Sequence, residues 1–117
     1  MNVTLFYFSQ TGNTHRIARA MAEVFSEAGY SARTLSLKKA LPEDALDADV
    51  IGVGSPCFSS QAPTPIKNFL RSLPPIPAKP AFVFATSGTA PGRVLYDLYS
   101  IFRDKGAVVL GGFLTRG

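Results

Sequence analysis

The sequence predicts one α/β domain of the doubly wound class: a three-layer sandwich on a parallel five-stranded sheet of order 2-1-3-4-5, lacking a C-terminal helix. Three observations carry the α/β class and its strand–helix alternation; the strand order is a further expectation within that class. Apolar, β-favouring runs recur as VTLFYF (3–8), VIGVG (50–54) and AFVFA (81–85). Each gives way to a polar, turn-rich stretch and then to apolar residues at helical spacing. The 117 residues suffice for one core and not for two, since single cores organise about 100–200 residues.

Val3 to Phe8 is apolar apart from one Thr, as a strand covered on both faces must be. Behind the polar segment Ser9 to Thr14, residues Ile17, Met21, Val24, Phe25 and Ala28 recur at helical spacing, and Gly29 supplies a stop. Ser31 to Leu37 alternates polar and apolar, the pattern of a half-exposed edge strand, and a short helix follows near Pro42 to Leu46. Val50 to Gly54 reads as a third, buried strand, followed by a loop from Ser55 to Pro63 and a helix presenting Ile66, Phe69, Leu70 and Leu73. Pro74 to Pro80 reads as a stiff surface connection. Ala81 to Ala85 is the fourth strand and Thr86 to Gly92 its loop. Val94, Leu95, Leu98, Ile101 and Phe102 mark a helix capped by Gly106, and Ala107 to Leu114 is the fifth strand.

Strand–helix alternation requires parallel strands, because each crossover returns to the same sheet edge. In the order 2-1-3-4-5 the crossover into the second strand runs opposite to the later ones, so right-handedness puts the first helix alone on its face. That face is then mostly bare, although strands this apolar should not meet water. The expectation is a domain, residues 1–117, that is C-terminally truncated or part of a longer protein. A homodimer or another partner burying the open face is the alternative.

Composition narrows the chemistry. With 46% apolar and 17% charged residues, the chain is a globular one and not disordered or low-complexity. No apolar stretch nears the roughly 20 residues that span a bilayer, and Met1 to Phe8 lacks the features of a signal peptide; a cytoplasmic location without membrane contact is expected. One cysteine, Cys57, excludes an internal disulfide, a cysteine-held cluster within the chain, and a multi-thiolate zinc site. The lone His15 argues equally against a His-based metal site. Catalysis would therefore fall to an organic cofactor or to hydroxyls, carboxylates and backbone.

In open α/β sheets ligands bind beyond the carboxyl ends of the strands, near the point where strand order reverses. Three loops line that crevice here: Ser9 to Thr14, Ser55 to Pro63 and Thr86 to Gly92. The first is wholly polar, contains Gly12 and opens into a helix, an arrangement that wraps phosphate oxygens with amides and hydroxyls under the positive end of the helix dipole. Ser, Thr and Asn are also ordinary N-caps. Neither GxxxxGK[ST] nor GxGxxG is present, and the loop carries no cysteine nucleophile, so binding and not phosphoryl transfer is indicated.

FYFSQTGNTHRIA resembles the phosphate-loop signature of flavodoxin-like proteins, GVGSPCFSSQAPTPIKNFL their second flavin loop, and FATSGTAPGRVL the third. The resemblance spans the chain and is nearest to flavodoxin domains of flavoproteins that carry an attached ferredoxin-type module. It implies an FMN-binding electron-transfer domain. In that reading Ser9, Gln10, Thr11, Gly12, Asn13 and Thr14 hold the phosphate. Ser55, Pro56, Cys57, Phe58, Ser59 and Ser60, with Thr86, Ser87, Gly88, Thr89 and Gly92, clasp the isoalloxazine ring, and Phe58 is the aromatic packed on it. No residue is assigned a catalytic role beyond positioning the flavin. An FMN-dependent NAD(P)H:quinone-type reductase and a cofactor-free interaction or regulatory domain are the alternatives on the same fold.

The family often has Gly where this chain has Ser60, and glycine lets the loop peptide flip toward reduced flavin at little cost. Serine resists the flip, so the one-electron-reduced flavin is expected to be less stabilised. Cys57 reads as a small hydrophobe beside the ring, with a reactive thiol the alternative. His15 reads as a solvated surface residue, with a phosphate contact the alternative, and Tyr96 and Tyr99 read as ordinary surface packing, with a partner contact the alternative. A net charge of +4 departs from the acidic character common in the family. It favours an acidic redox partner such as a ferredoxin, or an attached iron–sulfur module, through electrostatic steering. Arg16, Arg19, Lys38, Lys39, Arg71 and Arg103 read equally as solvated helix-face charges, and no nucleic-acid motif accompanies them.

Overall fold

The apolar runs pair side by side in a computed structural model that describes residues 1–8, 12–56, 62–86 and 94–115, with Asn13, Phe113 and Thr115 by backbone alone. The elements are β1 (Asn2–Tyr7), α1 (Asn13–Glu27), β2 (Ser31–Ser36), a 3-10 turn (Pro42–Ala45), β3 (Val50–Pro56), α2 (Thr64–Ser72), β4 (Pro80–Thr86), α3 (Val94–Asp104) and β5 (Val108–Thr115). All four strand pairings are parallel, in the order β2-β1-β3-β4-β5. The switch point lies between β1 and β3, as the expected order 2-1-3-4-5 implies.

The larger core lies between the sheet and the layer of α2, α3 and the 3-10 turn. Phe6 of β1, Ile51 and Val53 of β3, and Ala81, Val83 and Ala85 of β4 meet Ile66, Leu70, Val94, Leu98, Ile101 and Phe102 of the helices. Helical spacing of these apolar residues puts them on one stripe per helix, and burying that stripe stabilises the layer. Tyr96 and Tyr99 sit on the outer side of α3, 63% and 40% exposed, and Arg103 lies 5.5 Å over the Tyr99 ring. Arg16, Arg19, Lys38, Lys39, Arg71 and Arg103 are all exposed, although Lys38 and Lys39 belong to a turn and not to a helix.

On the opposite face α1 is the sole helix among the described residues. Leu5 and Phe84 are fully buried there, and Phe25 of α1 packs on Phe82 with ring centroids 6.0 Å apart. Two glycines of β3 make this packing fit. A Cβ at Gly52 would come within 2.5 Å of both Leu5 and the Phe82 ring, and one at Gly54 would overlap the ring of Phe84. The coverage stops short of β5: Val24 on α1 is 65% exposed, and Val108 and Leu110 on β5 are 51% and 66% exposed. The bare face that handedness predicts is thus confined to the end of the sheet distant from β2.

Three expectations change. The helical stripe of α1 is not uniformly buried, since Val24 faces out. The segment from Pro74 to Pro80 is not all surface: Ile76 is 2% exposed within the core, and its amide donates to the carbonyl of Lys105. The loops begin later than expected, because β3 continues through Ser55 and Pro56 and β4 through Thr86; the pairs Ser55–Ala85 and Pro56–Thr86 extend the ladder.

Candidate functional site

At the carboxyl end of the sheet, next to the switch point, α1 begins on Gly12. This glycine has φ +89°, ψ −9°, a left-handed conformation in which a β-carbon is strained. The first intrahelical bond runs from the Arg16 amide to the Gly12 carbonyl, 3.0 Å. The amides of residues 13–15 therefore have no partner within the helix. Gly12 provides no side-chain cap and the first turn has no acidic residue, so the helix supplies no carboxylate of its own at its positive end. An open groove beside Gly12 is lined by His15, Arg16, Arg19 and Glu23.

One residue into the helix, Thr14 is turned inward, 1% exposed. Its Oγ1 lies 3.0 Å from Oγ1 of Thr86, itself 5% exposed, and this buried bond joins positions 72 residues apart. Thr86 is the last residue of β4, so the bond fastens the start of α1 to the point where β4 gives way to its loop. Beside them, the Phe8 amide donates to the Gly54 carbonyl at 3.1 Å, which carries the pairing of β1 and β3 one step past the strand end. Ser55 is fully buried, and its hydroxyl donates to the carbonyl of Pro56 at 2.8 Å, shaping the exit from β3.

The structure thus brings Gly12, Thr14, Ser55, Pro56 and Thr86, with the backbone of Asn13, to one rim of the sheet. Ser9, Gln10, Thr11, Cys57, Phe58, Ser59, Ser60, Ser87, Gly88, Thr89 and Gly92 lie outside the described residues. The sequence missed the place of His15. It is half-buried and not simply solvated: its ring stacks on Tyr7 with centroids 4.8 Å apart and planes 8° from parallel. Nothing in a lone His following a polar turn signals that contact, which depends on how β1 and α1 are brought together.

Donors of this kind can hold an anion: amides at a helix start and a buried hydroxyl pair, with no acidic residue from 9 to 16.

A family model described as "Flavodoxin domain" matches residues 4–103. Diflavin flavoprotein A 5 of Nostoc sp. is 32% identical over 112 residues, covering 91% of this chain and 20% of that protein. The solution structure of two-electron-reduced Megasphaera elsdenii flavodoxin superposes with a TM-score of 0.88 at 25% identity, over 96% of this chain and 84% of the other. The Flv1 flavodiiron core of Synechocystis sp. superposes at 0.80 with 26% identity, over 99% of this chain and 30% of the other. The chain spans about a fifth of the length of the curated relatives it matches.

Proposed function

The chain belongs to the flavodoxin domain family, and from that premise we propose that it binds FMN and carries reducing equivalents on the flavin as one module of a longer oxidoreductase. The observation that best supports this reading is the meeting of α1 and β4 at the rim beside the switch point, where Gly12 opens the helix and the Thr14 hydroxyl is held against Thr86. The donor set suits a phosphate monoester: amides and hydroxyls satisfy its oxygens, and Arg16 and Arg19, with Glu23, line the groove beside Gly12.

In this assignment the amides of residues 13–15, the Thr14 hydroxyl and the side chains of Ser9, Gln10, Thr11 and Asn13 take the phosphate. Residues Ser55 to Ser60, together with Ser87, Gly88, Thr89 and Gly92, bracket the ring, Phe58 packs on it, and Thr86 joins the site from the end of β4. Bound there, FMN supplies reversible one- and two-electron chemistry; the protein's contribution is orientation and exclusion of water. Among the described residues no helix is long and apolar enough to cross a membrane, and we place the domain in the cytoplasm. The net charge of +4 suits an acidic redox partner or attached redox domain, such as a ferredoxin-type one.

Titration of the chain with FMN, followed by flavin absorbance and fluorescence, tests the assignment against riboflavin, which lacks the phosphate. Two charge-assisted hydrogen bonds in the cradle predict a preference for FMN of at least about a hundredfold. Equal affinity for the two flavins, or no binding of FMN, overturns it.

A further inference from the structure

We propose that Thr86 is a positioning residue for the anion cradle: from the end of β4 it fixes the Thr14 hydroxyl as a hydrogen-bond donor toward the phosphate of the ligand. The inference rests on the reading of this rim as an FMN site and goes beyond it in giving a residue of the third loop's strand a role at the phosphate and not at the ring.

The argument is a count of protons. Each threonine hydroxyl has one hydrogen to donate and two lone pairs to accept with. Thr14 Oγ1 and Thr86 Oγ1 are 3.0 Å apart and nearly excluded from water, so one hydrogen is committed to the bond between them. If Thr14 donates it, Thr14 has nothing left for an anion. If Thr86 donates it, Thr14 keeps its hydrogen and an oxygen polarised to give it up. A threonine early in a helix also has a competing local use for its hydroxyl, bonding back to a carbonyl of the preceding turn. A phosphate beside the helix start selects the second arrangement, Thr86 to Thr14 to phosphate, and a chain of aligned bonds strengthens each link.

The position of Thr86 suits this role. It pairs with Pro56 on one side and Thr115 on the other, within a parallel ladder, and its β-branched side chain has few rotamers. The donor is therefore mounted on the sheet, while the group it orients is mounted on the helix. Binding of the phosphate would be felt directly at the carboxyl end of β4.

Thr86→Val keeps the shape and removes the hydroxyl. FMN affinity is expected to fall about tenfold while riboflavin affinity changes by less than about twofold, so the preference between the two flavins narrows. Thr86→Ser restores the preference, and in a Thr14→Val background Thr86→Val produces no further loss of FMN. Circular dichroism and thermal unfolding check that each variant folds; Thr86→Ala takes the place of the Val variant if that one does not.

A Thr86→Val chain that weakens both flavins by one factor marks a merely structural tie and overturns the proposal, as does an unchanged FMN preference or losses that multiply in the double variant. A wild-type chain that does not prefer FMN overturns the site reading itself, and is recognised before any variant is made.

Discussion

Gly54→Ala asks whether ring packing against a bare stretch of backbone sets the geometry of the rim. A Cβ at this position would overlap the ring of Phe84, which is fully buried. Carbon atoms rest about 3.5–4.0 Å apart, so the ring must move by roughly 1 Å or more. Overpacking of this kind costs about 1–3 kcal/mol. Against it, alanine narrows the unfolded ensemble and returns about 0.4–1 kcal/mol. The overlap wins, for a net loss of about 1–2 kcal/mol. With a urea m-value of about 1–1.5 kcal/mol/M for a domain this small, the midpoint of unfolding should drop by roughly 1 M. Gly111→Ala is the matched control: it lies in a strand, and its Cβ meets nothing within 4 Å, so its midpoint should hold or rise. If the two variants unfold at the same urea concentration, the packing argument is wrong. Gly54 also accepts the Phe8 amide and immediately precedes Ser55, so flavin affinity measured on the same sample reports how far the disturbance reaches.

Two further outcomes follow from the helix start and the second loop. Gly12→Ala meets no atom within 4 Å but must adopt φ +89°; a stability loss of about 1–2 kcal/mol, together with a reduced preference for FMN over riboflavin, is expected in calorimetry and titration, and an unchanged melting temperature contradicts it. Ser60→Gly should raise the share of one-electron-reduced flavin seen by absorbance during reductive titration, because the loop peptide turns over more cheaply; an unchanged share rejects serine as the obstacle.

The strand–helix alternation is legible because continuous apolar runs and helical stripes are local properties, and handedness, once a strand order is given, converts that alternation into a layer arrangement without distance information. The lone position of α1 was read in that way and stands in the structure. The start of α1 at Gly12 is legible for a related reason: a polar turn with glycine before an amphipathic helix is a local pattern. Thr86 was assigned to the site, but its bond to Thr14 spans 72 residues and leaves no periodic trace.

The ends of β3 and β4 were misjudged by one or two residues because Ser, Pro and Thr signal turns by composition, whereas here they close the last rungs of the ladder. Proline has no amide to donate, which the final position of a strand tolerates. Ile76 was hidden among prolines, a composition that reads as surface although its single branched side chain fills the core. The Tyr7–His15 stack depends on the close approach of β1 and α1, which neither residue announces by type.

The pairing irregularity of the outermost strand has a consequence for association. Between Ala81 and Phe82 the partners jump from Val109 to Gly111, so Leu110 is an extra residue inserted into β5. An inserted residue bends the strand and breaks the regular row of amides and carbonyls along its free edge. A foreign strand would find two residues before the kink and five after it, too short a template for sheet-to-sheet polymerisation to propagate cleanly. The fold therefore guards its margin by backbone shape at the same end where greasy side chains are left in view.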